Sequence, residues 1–246
     1  MTVGERLLEL AGSDERAVLF TVLEGPEAGE HLLVLLERGE TLGDAPAALA
    51  ELAPEIARNG IVEHEGAKAF AEVYGPPPRL VVVGAVDTAE ALCAAARLLG
   101  WRTICVDARA VFATPERIPS ADELLVAWPD EALARVAPDR NTAVVVLAHD
   151  DKFDLPALRV ALRTDAFYVA AIGSRRTQAR RRERLLDEGL TEAELERVYA
   201  PAGLDVGAES PAETAVAILA EALAVRAGRH GTPLQTAAGR IHVEAP

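Results

Sequence analysis

From Leu80 to Val86 the chain reads Leu-Val-Val-Val-Gly-Ala-Val, with no polar side chain pointing to either side of the backbone. A strand with one wet face alternates apolar and polar residues. An unbroken β-branched run needs cover on both faces, which parallel sheets flanked by helices supply. Similar segments recur downstream. RTICVDA (102–108) predicts a second strand, DELLVA (122–127) a third, TAVVVLAHD (142–150) a fourth and AFYVAAIG (166–173) a fifth. Residues 88–99 have helical spacing and end at Gly100, suited to a C-cap. A strongly basic helix follows the fifth strand. Thr191 with Glu194, and Ser210-Pro211 with Glu213, fit capping boxes that start two late helices. The last helix, 211–227, reads as apolar along one face. Strands alternating with helices imply right-handed crossovers and a parallel sheet.

Gly75-Pro76-Pro77-Pro78 precedes the first of these strands. Three prolines neither continue a helix nor pair inside a sheet, so the domain boundary is placed there. Residues 1–75 read as a small α+β domain. It has a helix over Val3 to Ala11 and a helical Ala/Leu-rich stretch over 46–58. Two apolar runs, 16–24 and 30–40, form strand, turn and strand around Gly25, Pro26 and Gly29. The expectation is an α/β chain: a Rossmann-like parallel sheet with helices on both faces over 79–230, behind the small domain. Residues 231–246 read as a tail.

At roughly 100–200 residues per domain, 246 residues suit this division. The formal net charge is −14. Nucleic-acid binding needs a cationic surface, so that class is excluded, as is docking on anionic lipid. No apolar run approaches the ~18 residues that span a bilayer. The N-terminal stretch carries acids and no apolar signal core, so the expected location is the cytoplasm. Only Cys93 and Cys105 are present, in no CxxC pattern. They read as small core residues, with neither a disulfide framework nor a metal site.

Four segments carry candidate chemistry. The turn Gly84-Ala85-Val86-Asp87-Thr88-Ala89 holds the first glycine and last small residue of a dinucleotide turn, but Val86 replaces the middle glycine and Asp87 adds a negative charge. Asp107, 23 residues after Gly84, stands where a carboxylate would accept from a ribose 2′-hydroxyl, and Arg109 could instead meet a 2′-phosphate. The alternative is a bare strand-to-helix turn. Next, His149 and Asp150 end the fourth strand, where ligands bind in open α/β sheets and a histidine can act as acid, base or ligand. Here the alternative is that Asp150 or Asp151 caps the next helix and His149 is solvated. Third, Gly173, Ser174, Arg175, Arg176 and Thr177 close the fifth strand and open a helix, offering free N–H groups, hydroxyls and guanidiniums to phosphate. The pair Arg175 and Arg176 is expected to face a pocket. Arg180, Arg181, Arg182 and Arg184 suit a solvated face paired with Glu183, Asp187 and Glu188. Last, Gly203-Leu204-Asp205-Val206-Gly207 is a tight loop that would bring Asp205 to the same rim, or is merely a turn.

The segments EVYGPPPRLVVVGA, AVVVLAHDDKFDLPALRVAL, FYVAAIGSRRTQARRRERL and APAGLDVGAESPAETAVAILAEALAVR, in this order, resemble the XdhC/CoxI accessory proteins of molybdenum hydroxylases over about residues 72–228. The resemblance implies a small N-terminal domain before a Rossmann-like domain. It also implies molybdenum cofactor as ligand, handover to a xanthine-dehydrogenase-type client enzyme, and a homodimer. Two family features are altered. The usual Gly-Ala-Gly-His turn is Gly84-Ala85-Val86-Asp87. The Ser-Gly-Gly-Cys motif of the N-terminal domain is absent, its region reading Glu40 to Ala45, and no cysteine precedes Cys93. Three readings stay open: a cofactor-binding maturation factor with a phosphate-bearing ligand, an NAD(P)-dependent oxidoreductase with His149 as proton donor, and a ligand-free interaction subunit.

Overall fold

A computed structural model describes residues 1–11, 13, 15–56 and 59–237; the end of the expected tail, 238–246, lies outside the described residues. The chain forms two compact units. One is Met1–Pro76 with the described residues from Pro233 onward, and the other is Pro77–Thr232.

In the first unit, α1 (Val3–Leu10) starts at a capping box made by Thr2 and Glu5. Five antiparallel strands follow: β1 (Ala17–Val22), β2 (His31–Leu35), β3 (Glu40–Gly43), β4 (Gly60–His64) and β5 (Ala67–Tyr74), in the order β3-β2-β1-β5-β4. The central strand β1 is apolar apart from Thr21 because both its faces are covered. Ala17 and Leu19 pack with Leu10 of α1, while Val18 and Phe20 pack with Leu49 and Ala53. Those last two belong to a 3-10 helix, Ala47–Glu55, where the Ala/Leu-rich sequence suggested an α-helix. The difference has a cause in Pro54, which has no N–H to donate and whose ring would clash with the carbonyl four residues back in an α-helix.

The second unit holds β6 (Arg79–Val83), α2 (Asp87–Leu98), β7 (Arg102–Val106), β8 (Glu123–Leu125), α3 (Pro129–Val136), β9 (Thr142–Val146), α4 (Asp151–Ala161), β10 (Tyr168–Ala171), α5 (Arg175–Asp187), α6 (Glu192–Leu195), β11 (Val198–Tyr199) and α7 (Pro211–Arg226). The six strands are all parallel, in the order β11-β10-β9-β6-β7-β8. Five match the apolar runs of the sequence; the two-residue β11 is too short to leave a pattern. Alternate residues of β6 enter opposite cores. Leu80 and Val82 join Leu92 of α2 and Ile218 of α7, while Val81 and Val83 join Leu133 of α3 and Leu158 of α4. Cys93 and Cys105 lie in the first core, where burial pushes the Cys93 thiol up to about 12 and raises that of Cys105 as well.

The chain runs outward from β6 to β8, then returns to lay β9 on the other side of β6. In open α/β sheets such a reversal leaves a crevice at the strand carboxyl ends, where ligands bind. The loop after β11 is tied down behind it. Glu221 of α7 accepts from the buried Tyr168 hydroxyl at 2.5 Å and from the Gly203 amide at 2.9 Å. Tyr168→Phe removes one donor from this carboxylate and is expected to lower stability by about 1–3 kcal/mol, read from the urea midpoint at unchanged slope.

Candidate functional site

The carboxyl edge of the parallel sheet collects most of the residues singled out in the sequence. Gly84 follows β6 with φ +108°, and a β-carbon there would sit 2.8 Å from the Ala148 amide nitrogen. This glycine is therefore required by the backbone of the β9–α4 loop pressing against it. Val86 stands at the N-cap of α2 and offers no capping hydrogen bond, and the exposed Asp87 lies 3.8 Å from Arg117.

Asp107 ends β7 and is buried. Its Oδ1 accepts from the Arg109 amide (2.9 Å) and Nε (2.8 Å), and its Oδ2 from the Ala85 amide (2.9 Å) and an Arg109 terminal nitrogen (2.7 Å). Burial pushes this carboxyl up, but the hydrogen bonds from Arg109 and Ala85 outweigh it and hold the group below the usual carboxylate range. Both oxygens are thus already engaged by protein donors.

His149 is exposed and takes a left-handed conformation, φ +58°. Asp150 caps α4, accepting from the Lys152 amide at 3.0 Å. After β10, Gly173 has φ +131°, and a β-carbon there would crowd Gln178 Nε2 at 3.2 Å and Thr177 Cγ2 at 3.3 Å. Ser174 caps α5 by accepting from the Thr177 amide at 3.1 Å, and the two hydroxyls are 3.0 Å apart.

The six arginines of α5 divide sharply. Arg180 and Arg184 both reach Asp151, at 3.2 and 2.5 Å; Arg182 pairs with Glu192; Arg181 meets Asp154 at 2.6 Å, both side chains buried. None of these partners is the Glu183, Asp187 or Glu188 expected from the sequence, because Asp151 and Asp154 of α4 and Glu192 of α6 face these guanidiniums across the helix packing. Arg175 and Arg176 are exposed, and among the described residues they have no carboxylate partner. A cavity of about 190 Å³ beside α5 is lined by Leu158, Arg181, Arg182, Leu185, Leu195 and Val198. Arg175 and Arg176 are not in its walls, so this cavity is not the pocket that the pair was expected to face. Asp205 is exposed in the loop before α7, and no contact among the described residues joins it to His149 or Arg175.

The XdhC Rossmann domain family matches residues 80–222. The chain belongs to the XdhC family. Among its relatives, a protein of Bacillus subtilis named as a probable subunit of xanthine dehydrogenase is 31% identical over 157 residues, 64% of this chain and 46% of that protein. The molybdenum cofactor insertion chaperone PaoD of Escherichia coli is 35% identical over 99 residues, 40% of this chain and 30% of that protein. The matched stretch thus spans less than half the length of each relative. In fold, the chain resembles a crystal structure of a xanthine dehydrogenase from Bacillus halodurans, with TM-score 0.57 and 18% identity over 94% of this chain and 97% of that one.

The XdhC-family fold brings together a further group that the sequence reading missed. The Arg109 guanidinium lies 4.3 Å from the Phe112 ring and 5.1 Å from Phe153, and the Lys152 ammonium lies 4.8 Å from Trp128 and 5.6 Å from Phe153. Trp128 and Phe153 are themselves 5.5 Å apart. Below this rim, Arg181 also donates to Ile172 O (3.3 Å) and Gln178 Oε1 (2.6 Å), and Gln178 donates to Ala171 O and Ile172 O. Burial raises the Asp154 carboxyl above its usual range against the pull of Arg181.

Two outcomes follow from this geometry. Arg181→Leu leaves Asp154 buried without its cation and is expected to cost about 3–5 kcal/mol, measured by chemical denaturation. Asp107 has a lower pKa folded than unfolded, so its contribution is fully present above the unfolded value of about 4 and is lost as pH falls through the folded one. Asp107→Asn is expected to flatten the acid limb of the stability–pH curve below about pH 4.

Proposed function

We propose that this chain is an accessory protein for a molybdenum hydroxylase of the xanthine-dehydrogenase type. It would hold molybdenum cofactor, or a related phosphate-bearing ligand, for maturation and insertion into that client. The observation that carries this reading is the division of the α5 arginines. In a chain of net charge −14, four of the six α5 arginines have carboxylate partners, while among the described residues Arg175 and Arg176 have none at the start of the helix. A helix N-terminus with free N–H groups and two guanidiniums favours a phosphate. The names of the relatives agree with the reading: one is an insertion chaperone for molybdenum cofactor, another a probable component of xanthine dehydrogenase.

In this account Gly173 lets the backbone turn tightly, Ser174 and Thr177 supply hydroxyls, and Arg175 and Arg176 grip the phosphate. His149 and Asp150 border the site from the neighbouring strand end, and Asp205 stands on the loop behind it. The cofactor, when bound, brings the molybdenum chemistry that the client uses. The chain's own residues bind, orient and release it. The Gly84 turn fits a dinucleotide poorly. Val86 and Asp87 occupy the phosphate position, and Arg109 and Ala85 fill both Asp107 oxygens. That disfavours the oxidoreductase alternative.

The chain would act in the cytoplasm as a homodimer. Among the described residues no helix is long and apolar enough to cross a membrane. Val216 and Leu223 are exposed on α7, whose other side is buried, so this helix is apolar on two sides rather than one. Such a helix calls for a covering partner. Arg175→Ala is expected to weaken cofactor binding by about 1.5–3 kcal/mol, the scale of a charge-assisted hydrogen bond. Isothermal titration that finds the affinity unchanged would remove Arg175 from the site.

A further inference from the structure

We infer that a cavity at the amino edge of the parallel sheet is a binding site for a short-chain dicarboxylate. It lies at the opposite end of the strands from the Gly173–Thr177 turn, and the inference does not rest on the proposed function.

The cavity, about 210 Å³, brings together Arg79, Arg102 and Arg135. Arg79 opens β6 and Arg102 opens β7, and the two are paired neighbours in the parallel register. Their backbones are thus about 5 Å apart. Side chains two residues apart share a sheet face, so both arginines stand on the face that Val81 and Ile104 turn toward α3. The last turn of α3 adds Arg135. Like charges side by side on a sheet repel, and this chain has 39 acids to set against 25 bases. Yet the supply of carboxylates here is thin. Arg79 meets Asp139 at 3.2 Å, Arg102 meets Glu123 at 3.2 Å, and Arg135 has no carboxylate partner among the described residues.

A helix C-terminus favours one cation, but that role at α3 is already filled. The Arg79 guanidinium donates to the Val136 and Ala137 carbonyls at 2.9 and 3.0 Å, and its Nε donates to Thr142 Oγ1 at 3.1 Å. Arg79 is therefore fixed in place, and Arg135 is left available for a ligand. A guanidinium holds a carboxylate through two parallel N–H donors. Ile104, Leu125 and Val136 supply the apolar part of the wall. A dicarboxylate sets one carboxylate on Arg135 and the other on Arg102, with its methylenes against that apolar part. Inorganic phosphate would leave the apolar wall bare, and a monocarboxylate would leave one guanidinium unanswered. The cavity is smaller than the roughly 300–1,000 Å³ of sites for drug-sized molecules, which argues against a nucleotide. Glu123 is also in the wall and competes with the ligand for Arg102.

The test is calorimetric titration of the full chain with succinate, butyrate and inorganic phosphate at low ionic strength. Succinate is expected to bind at one site per chain. Butyrate and phosphate are expected to bind about tenfold more weakly, the scale of one charge-assisted hydrogen bond. Arg135→Gln and Arg102→Gln, both at exposed positions, are each expected to weaken succinate about tenfold as well. Glu123→Gln removes the competing carboxylate and is expected to tighten succinate binding, a gain that a merely destabilised variant does not produce. The double variant Arg175→Ala/Arg176→Ala is expected to leave succinate affinity unchanged, since that pair stands at the other edge of the sheet. No saturable succinate binding overturns the site. So does equal affinity for all three compounds, which marks a general counter-ion effect. Succinate binding that follows the Arg175–Arg176 pair and ignores Arg135 overturns it too.

Discussion

The carboxyl edge of the parallel sheet depends on one buried ion pair. Asp154 in the first turn of α4 and Arg181 in the middle of α5 meet at 2.6 Å with almost no solvent contact. Taking two charges out of water is costly, and their attraction repays it only when the remaining polar atoms are also served. Here the service is partial. Among the described residues Asp154 Oδ1 and Arg181 Nε have no hydrogen-bond partner, while the other arginine nitrogens bond Asp154, Gln178 and the Ile172 carbonyl. The pair is better understood as a device for geometry than as a source of stability. It locks α5 onto both α4 and the end of β10, and so fixes where the Gly173–Thr177 turn begins.

The same neighbourhood explains why, among the described residues, most α5 arginines are neutralised while Arg175 and Arg176 have no carboxylate partner. Asp151 and Asp154 on α4 and Glu192 on α6 take up Arg180, Arg181, Arg182 and Arg184. Those contacts lie along the body of α5, facing its neighbours. Arg175 and Arg176 precede them in the first turn, beyond the reach of the α4 acids. On the β7 side the assignment is reversed. Arg109 is spent on Asp107, which closes the position a ribose hydroxyl would use and leaves the strand end tied to the Ala85 amide.

Much of the fold was legible because it rests on local patterns. The apolar run at Leu80–Val83 reports burial on both faces, and the Ser210–Glu213 and Thr191–Glu194 boxes mark helix starts that the structure contains. Where local pattern and local chemistry conflict, as at Pro54 inside an Ala/Leu-rich stretch, the proline prevailed and the helix tightened to 3-10. The candidate site was half legible. Gly84, Asp107, His149, Asp150 and Gly173–Thr177 all fall at strand ends, which a sequence can reveal. The partners of Arg180 to Arg184 could not be read, because they come from other helices roughly thirty residues away in the chain for Asp151 and Asp154. The aromatic cluster was invisible for the same reason: Phe112, Trp128 and Phe153 come from three separate connections and share no spacing.

The packing of Lys152 and Arg109 on aromatic rings has a kinetic side. A free lysine or arginine on a surface samples many rotamers, and a ligand that captures it must freeze them. Here the freezing takes place when the chain folds, since the two cations already rest against Trp128, Phe112 and Phe153. Anything that docks on this rim meets side chains with little left to lose, and the benefit of such preorganisation falls mainly on how long a bound molecule stays.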